Sequence, residues 1–410
     1  MTDKKPLWHG TLLVAGGAIG AGIFALPMVS AGAWMMWSTA GFLVVWAMTY
    51  IAASLFAKVN IAIVSDSSNH LDYQSSFSSL VSHVLGAKWE TLNNLSIVFI
   101  MMILMYAYTS AGASIVGYSF ESLDINIGTN KRAWLSLGFA AIIGAIIWLG
   151  TSFVSQIMLA LMVAMALTFG IASAGVLPNV NLSRLTEPLD TYHYLLGALP
   201  VYVTAFACAG LVPSLVRHYQ SQQHKVFQSI FWGTLLALMV YLFWLIITLG
   251  SVGREGFANV IENGGNLADL VKALVEVGAD SSLQARLSLF SHCAIITSYL
   301  SVGIGLLQFM QDKLGLSNSA RHRFIAVMCC FTPPAIASFF LPYGFVYAIS
   351  YAGIFVAFSF FIVPGTMATV MNSNQLQSTF KYLPLSVLTF GVIIIGLKVA
   401  LIFSLLPNFG

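Results

Sequence analysis

Apolar residues in this chain run in long stretches separated by short polar loops. At roughly 20 apolar residues per bilayer crossing, the pattern predicts eleven membrane-spanning helices. They lie at about 9–30, 34–61, 91–120, 131–150, 153–177, 193–216, 226–250, 283–311, 322–341, 343–370 and 383–406. Two of the intervening stretches carry the period of amphipathic helices. Residues 76–86 place Phe77, Leu80, Val81, Val84 and Leu85 on one face, with Gly86 as a stop signal, and predict a short helix at the inner surface. Residues 266–277 place Leu267, Leu270, Val271, Leu274 and Val275 on one face. Asn266 caps that helix, and Asp269, Lys272 and Glu276 lie opposite. At the outer surface this second helix is either a lid over a vestibule or a helix packed on the tops of the spans.

The first span is not built as a continuous helix. Residues 14–27 read Val-Ala-Gly-Gly-Ala-Ile-Gly-Ala-Gly-Ile-Phe-Ala-Leu-Pro, and glycine and proline both weaken helical backbone. Residues 205–213, Ala-Phe-Ala-Cys-Ala-Gly-Leu-Val-Pro, form a similar stretch about 190 residues later. Broken helix at membrane depth is tolerated only where it lines a cavity or is buried in protein. Two such breaks in corresponding halves point to a transporter whose substrate site lies between them.

The breaks supply their chemistry through the backbone. N–H groups near Ala21 and Gly22, opening the second half-helix, suit a carboxylate. Carbonyls near Ala18 and Ile19, closing the first, suit an ammonium group, and Gly20 lets a ligand approach the chain. The competing reading is close helix packing, since Gly16 with Gly20, and Gly17 with Ala21, satisfy the small-xxx-small pattern. In the second break, Phe206 is expected to cover the substrate, while Ala207, Cys208 and Ala209 leave volume beside it. Met102 and Tyr106 in the third span face that volume in this reading, as adaptable sulfur and as a hydroxyl. A methionine stripe that is simply core is the alternative.

Composition narrows the class. The chain of 410 residues is 58% hydrophobic and only 8% charged, against roughly 25% charged in soluble domains. A single membrane domain therefore accounts for the whole length. The net charge of +3 is small and scattered, so no nucleic-acid partner is expected. Cys208, Cys293, Cys329 and Cys330 lie in apolar segments without zinc or disulfide spacing, and read as small buried hydrophobes. No convergent set of acids, histidines or thiols marks an enzyme, a metal or another cofactor. The basic start followed by an apolar run reads as a retained first helix rather than a signal peptide. Loop lysines and arginines place the N-terminus inside and the C-terminus outside, counting among others Lys4, Lys5, Lys225 and Lys381 on the inner side and Arg132, Arg184 and Arg254 on the outer.

Ionisable groups within the spans are few. Lys398 in the last span is expected to snorkel outward along its stem. His292 is either a proton relay or a neutral packed imidazole. Thr297 and Ser298 offer hydroxyls that can join carbonyls around a sodium ion.

Ile19-Gly20-Ala21-Gly22-Ile23-Phe24-Ala25-Leu26-Pro27 resembles the opening motif of the hydroxy and aromatic amino acid permeases, within the amino acid–polyamine–organocation superfamily. Ser30-Ala31-Gly32-Ala33-Trp34, Tyr106-Ala107-Tyr108, Val212-Pro213-Ser214-Leu215, Gly264-Gly265-Asn266 and Phe345-Val346-Tyr347-Ala348-Ile349-Ser350-Tyr351-Ala352-Gly353 extend the resemblance nearly end to end. It is closest to the tryptophan- and tyrosine-specific members. The resemblance implies an all-α, leucine-transporter-like fold. Inverted repeats would span about 9–177 and 193–370, with discontinuous helices one and six and an extra helix at about 383–406. It further implies proton symport of an aromatic amino acid into a bacterial cell across the inner membrane. Three positions depart from the pattern that the resemblance implies. Met165, Ala209 and Gln308 stand where a lysine, a histidine and an aspartate are usual. Coupling through His292, through sodium at Thr297 and Ser298, or no coupling at all are the remaining routes. A carrier of another neutral amino acid is the alternative function.

Overall fold

A computed structural model describes residues 5–65, 76–124, 131–186, 191–220, 222–278, 282–317, 319–371, 382–407 and 409. Lys4 and Lys381, two of the cations used to orient the chain, lie outside them. Among the described residues all regular structure is helical. In chain order it comprises α1 (Leu7–Ala18), α2 (Ala25–Ser65), α3 (Phe77–Leu85), α4 (Ala87–Glu121), α5 (Lys131–Leu149) and α6 (Thr151–Val176). A one-turn helix α7 (Leu182–Leu185) leads to α8 (Tyr192–Ala205), α9 (Val212–Tyr219), α10 (Gln223–Glu262) and α11 (Leu267–Val277). The remainder is α12 (Leu283–Lys313), α13 (Ala320–Phe340), α14 (Phe345–Ala357), α15 (Val363–Val370) and α16 (Leu383–Ile402).

Ten stretches among the described residues are long and apolar enough to cross a membrane, where eleven are expected. The difference lies at the start, where the expected spans 9–30 and 34–61 become α1, a short 3-10 turn and α2, which is kinked at Trp34. The apolar stretch Ala21–Ser65 holds 45 residues, and a straight helix of that length would reach about 68 Å, more than twice the roughly 30 Å hydrocarbon core. The stretch is not straight. At Trp34 the backbone turns into the left-handed half of φ/ψ space (φ 62°, ψ −176°), a region costly for any residue but glycine. Surrounding structure holds it there: the buried Trp34 indole donates to the Arg184 carbonyl at 2.6 Å, and Arg254 donates to the Gly32 carbonyl at 3.2 Å. Gly253 (φ 74°) turns α10 in the same way at the far end of its own span.

Both short amphipathic helices form. Ser76 and Ser79 cap α3 reciprocally, and Gly86 (φ 87°) ends it, with Phe77, Leu80 and Val81 buried. Helix α11 buries Leu267, Leu270, Val271 and Leu274. Its Ala268 N–H donates to Ser114 Oγ of α4 at 3.2 Å, so its apolar face rests on the ends of the spans. Asp269 lies 4.0 Å from Arg132, whose guanidinium covers the Tyr343 ring at 4.6 Å. Burial raises the Asp269 carboxyl above its ordinary range, against the pull of Arg132.

Outward-facing surfaces fit a lipid solvent. Leu159, Val163, Leu167 and Ile171 recur every fourth residue on α6 and all are exposed. In water such a stripe would be a liability, whereas in hydrocarbon it needs no partner. Inside, Phe24, Phe169, Trp244 and Phe290 form an aromatic cluster with ring centroids 5.0–6.1 Å apart. The cluster anchors the 3-10 turn that follows the first break.

Candidate substrate site at the two helix breaks

Both predicted breaks are present. Helix α1 ends at Ala18, Ile19 and Gly20 leave the helix, and a 3-10 turn over Ala21–Phe24 opens the next segment. Helix α8 ends at Ala205, and a second 3-10 turn over Ala209–Leu211 precedes α9. Pro213 sits in the first turn of α9, where its missing N–H has no partner to lose. The two breaks lie against one another. A Cβ placed on Gly17 would come within 2.4 Å of Leu211 Cδ1.

What ties them is a residue that the sequence reading missed. The hydroxyl of Tyr241, on α10, lies 2.6 Å from the Ala18 carbonyl and 2.8 Å from the Ala205 carbonyl. These are the closing carbonyls of the two half-helices, at the negative ends of their dipoles. A phenol has one proton, so it donates to one carbonyl at a time and leaves the other able to accept from a second donor. Tyr241 is fully buried, and its ring meets Phe206 edge-on at 5.2 Å. Within the apolar run Val240-Tyr241-Leu242-Phe243-Trp244 nothing distinguished it from core.

Glycines of the first break divide between packing and openness. Gly16 faces Met162, and Gly17 faces Leu211. A Cβ on Gly20 would meet Ser298 Oγ at 2.8 Å, whereas one on Gly22 would meet nothing within 4 Å. The Ala21 N–H donates to Ser298 Oγ at 2.8 Å. Of the two N–H groups expected to face a carboxylate, one therefore has a protein acceptor, and the other belongs to the glycine that borders open space.

Other expected site residues are distributed as follows. Ala18 and Ile19 are half-buried at the break, and Ala207, Cys208 and Ala209 form the second break, with Cys208 and Ala209 buried. Phe206 is fully buried, its ring packed between Tyr241 and Phe42. Phe206→Ala is accordingly expected to lower stability by about 3–5 kcal/mol, seen as a lower thermal midpoint of the purified protein. Met102 is half-buried on α4. The Tyr106 hydroxyl donates to the Leu341 carbonyl at 2.7 Å, and its ring closes on Gly344. It is committed to the α13–α14 connection rather than to the breaks.

Groups considered for ion coupling also have partners. Thr297 Oγ1 donates to the Cys293 carbonyl at 2.6 Å, and Ser298 accepts from Ala21. Nδ1 of His292 lies 2.7 Å from the Ser288 carbonyl of its own helix. Met165 is half-buried and Gln308 exposed. Lys398 corrects an expectation: its amine does not snorkel outward but turns inward to Ser350 Oγ at 2.7 Å.

Comparison with known proteins agrees with this architecture. A model of the tryptophan/tyrosine permease family matches residues 3–403. The chain is 36% identical over 385 residues to a tryptophan-specific transport protein of Pseudomonas aeruginosa, covering 92% of this chain and 90% of that one. It is 30% identical over 427 aligned positions to a low affinity tryptophan permease of Escherichia coli, covering 100% of each. A tyrosine permease of Enterobacter agglomerans is 29% identical, with 98% of each chain covered. Among solved structures, a manganese transporter mutant of Eremococcus coleocola superposes with a TM-score of 0.60 at 11% identity, over 98% of this chain and 89% of that one. That likeness concerns the fold alone.

Proposed function

The chain belongs to the tryptophan/tyrosine permease family, and from that membership we propose that it imports tryptophan or tyrosine across a bacterial inner membrane. The observation that carries the reading is the convergence of the two breaks. The Ala18 and Ala205 carbonyls meet at one hydroxyl, and the backbone at Gly22 borders open space. An amino acid brings both complements. Its ammonium donates to the carbonyl that Tyr241 leaves free, and its carboxylate takes the N–H side of Gly22.

In this reading α1 and the chain as far as Trp34 make the first crossing, and the rest of α2 makes the second, for eleven in all. The N-terminus lies in the cytoplasm and the C-terminus in the periplasm. The halves at about 9–177 and 193–370 form inverted repeats that rock about the breaks to give alternating access. Import is coupled to a cation gradient, with the proton as the family resemblance has it.

Uptake of labelled tryptophan and tyrosine into proteoliposomes tests this, with sodium replaced by choline and with the external pH varied. Accumulation that needs a pH gradient and ignores choline is expected. Accumulation that collapses in choline would reassign coupling to sodium, and uptake indifferent to both gradients would make the protein a facilitator. No uptake of either amino acid would remove the substrate.

A further inference from the structure

A cavity of about 240 Å³, lined by none of the break residues 18–24 and 205–211, lies between α8, α14 and α16 and against the outer halves of the broken helices. Met28 and Val29 reach it from the segment after the first break, and Val201 from α8. Lys398 is its one lining cation, and no aspartate or glutamate lines it among the described residues.

The amine of Lys398 is held in an unusual way. Its residue is 6% exposed, yet its partners are neutral: Ser350 Oγ at 2.7 Å and the face of the Tyr351 ring at 4.2 Å. A cation taken from water is ordinarily paired with an anion, because its desolvation is otherwise uncompensated. Here no carboxylate lies within ion-pair distance among the described residues. Snorkelling was available, since Lys398 stands four residues before the end of α16, about 6 Å along the axis. The structure does not use it.

The surroundings suit an anion with an apolar body. Ser350 accepts from Lys398, and its own proton has no acceptor among the described residues. Two donor groups, the Lys398 amine and the Ser350 hydroxyl, therefore lie 2.7 Å apart on the cavity wall. Tyr194, Tyr347, Tyr351 and Phe409 supply aromatic walls. Behind Phe409 and Tyr194 lies a second cation, the Arg254 guanidinium, 4.9 and 5.9 Å from their rings. Glycines Gly197, Gly264 and Gly265 keep the rest of the wall low.

We propose that this cavity is a binding site for a monocarboxylate with a flat apolar body, held by Lys398 and Ser350 and separate from the site at the breaks. With the Lys398 cation on its wall to repel an ammonium group and no acid to offset that repulsion, it favours an amine-free acid over an amino acid. The breaks, which offer carbonyls to an ammonium, favour the reverse. The cavity site stands whether or not tryptophan is the cargo.

The test uses full-length protein in lipid nanodiscs and indolepropionate, the amine-free counterpart of tryptophan, by titration calorimetry. Saturable binding with one site per chain is expected. Lys398→Met is expected to weaken it at least about tenfold, the loss of one charge-assisted contact. Ser350→Ala should weaken it severalfold, and Lys398→Arg should retain it. Tryptophan binding should be unchanged by Lys398→Met, which also reports that this variant is folded. Should Lys398→Met aggregate, Ser350→Ala against Lys398→Arg makes the comparison. Indolepropionate affinity indifferent to Lys398→Met and Ser350→Ala would overturn the proposal, as would the absence of saturable binding to the wild type.

Discussion

Tyr241→Phe is expected to cut tryptophan uptake by an order of magnitude or more while leaving the ring packing of α10 in place. The substitution keeps the contacts of the ring with Phe206 and Phe42 and deletes one oxygen. That oxygen is the only side-chain group within hydrogen-bond distance of both closing carbonyls, Ala18 and Ala205, among the described residues. Losing a buried donor leaves a carbonyl unsatisfied, at about 1–3 kcal/mol. The thermal midpoint should fall accordingly. The larger consequence is geometric. The two half-helix ends are registered to one another through a single hydroxyl, and in the proposed binding mode the ammonium group needs the carbonyl that this hydroxyl leaves free to be held in place. Misplacement by about 1 Å is enough for roughly a hundredfold loss where orientation matters. The measurement is a pair: initial uptake rate in proteoliposomes, and thermal unfolding of the same preparation. A variant that loses stability but transports at the wild-type rate would reduce Tyr241 to a structural tie.

Gly22→Leu carries the second large effect, and it separates binding from folding. A Cβ at Gly22 meets nothing within 4 Å, so the new side chain extends into the open volume beside the break. Leucine is also a better helix former than glycine. Expression and thermal midpoint should therefore match the wild type, while tryptophan binding weakens about a hundredfold or more. Gly17→Leu is the contrasting control, because its Cβ would meet Leu211 at 2.4 Å. That variant should fail by misfolding. Wild-type affinity in Gly22→Leu would move the carboxylate away from the first break.

The two glycines show where sequence reading stops. Gly17 and Gly22 belong to one run, for which the sequence left close packing and ligand approach both open. The fold assigned packing to Gly17 and openness to Gly22, because Leu211, which fills the space at Gly17, arrives from the second break nearly 200 residues away. Phe206 shows the same limit in reverse. Its place in the second break was legible, but the direction of its ring was set by Tyr241 and Phe42, which come from other helices. Tyr241 itself was invisible, since a tyrosine amid apolar residues in a span has no local signature.

Local properties were readable because they need no partner. Long apolar runs require a lipid solvent, glycine and proline break helices where they stand, and capped amphipathic turns such as α3 and α11 form on their own spacing. From these the sequence by itself determined a helical membrane protein with two interrupted helices, and its motifs indicated the family. Only the tertiary structure decided how distant groups meet. It bent the chain at Trp34, where no glycine marks the turn, because the Arg184 carbonyl receives the indole. It brought Ala18 and Ala205 to one hydroxyl, and it turned Lys398 inward to Ser350 although its stem could have reached the surface. A side chain's direction depends on which helix lies opposite, and that is a property of packing rather than of neighbouring residues in the chain.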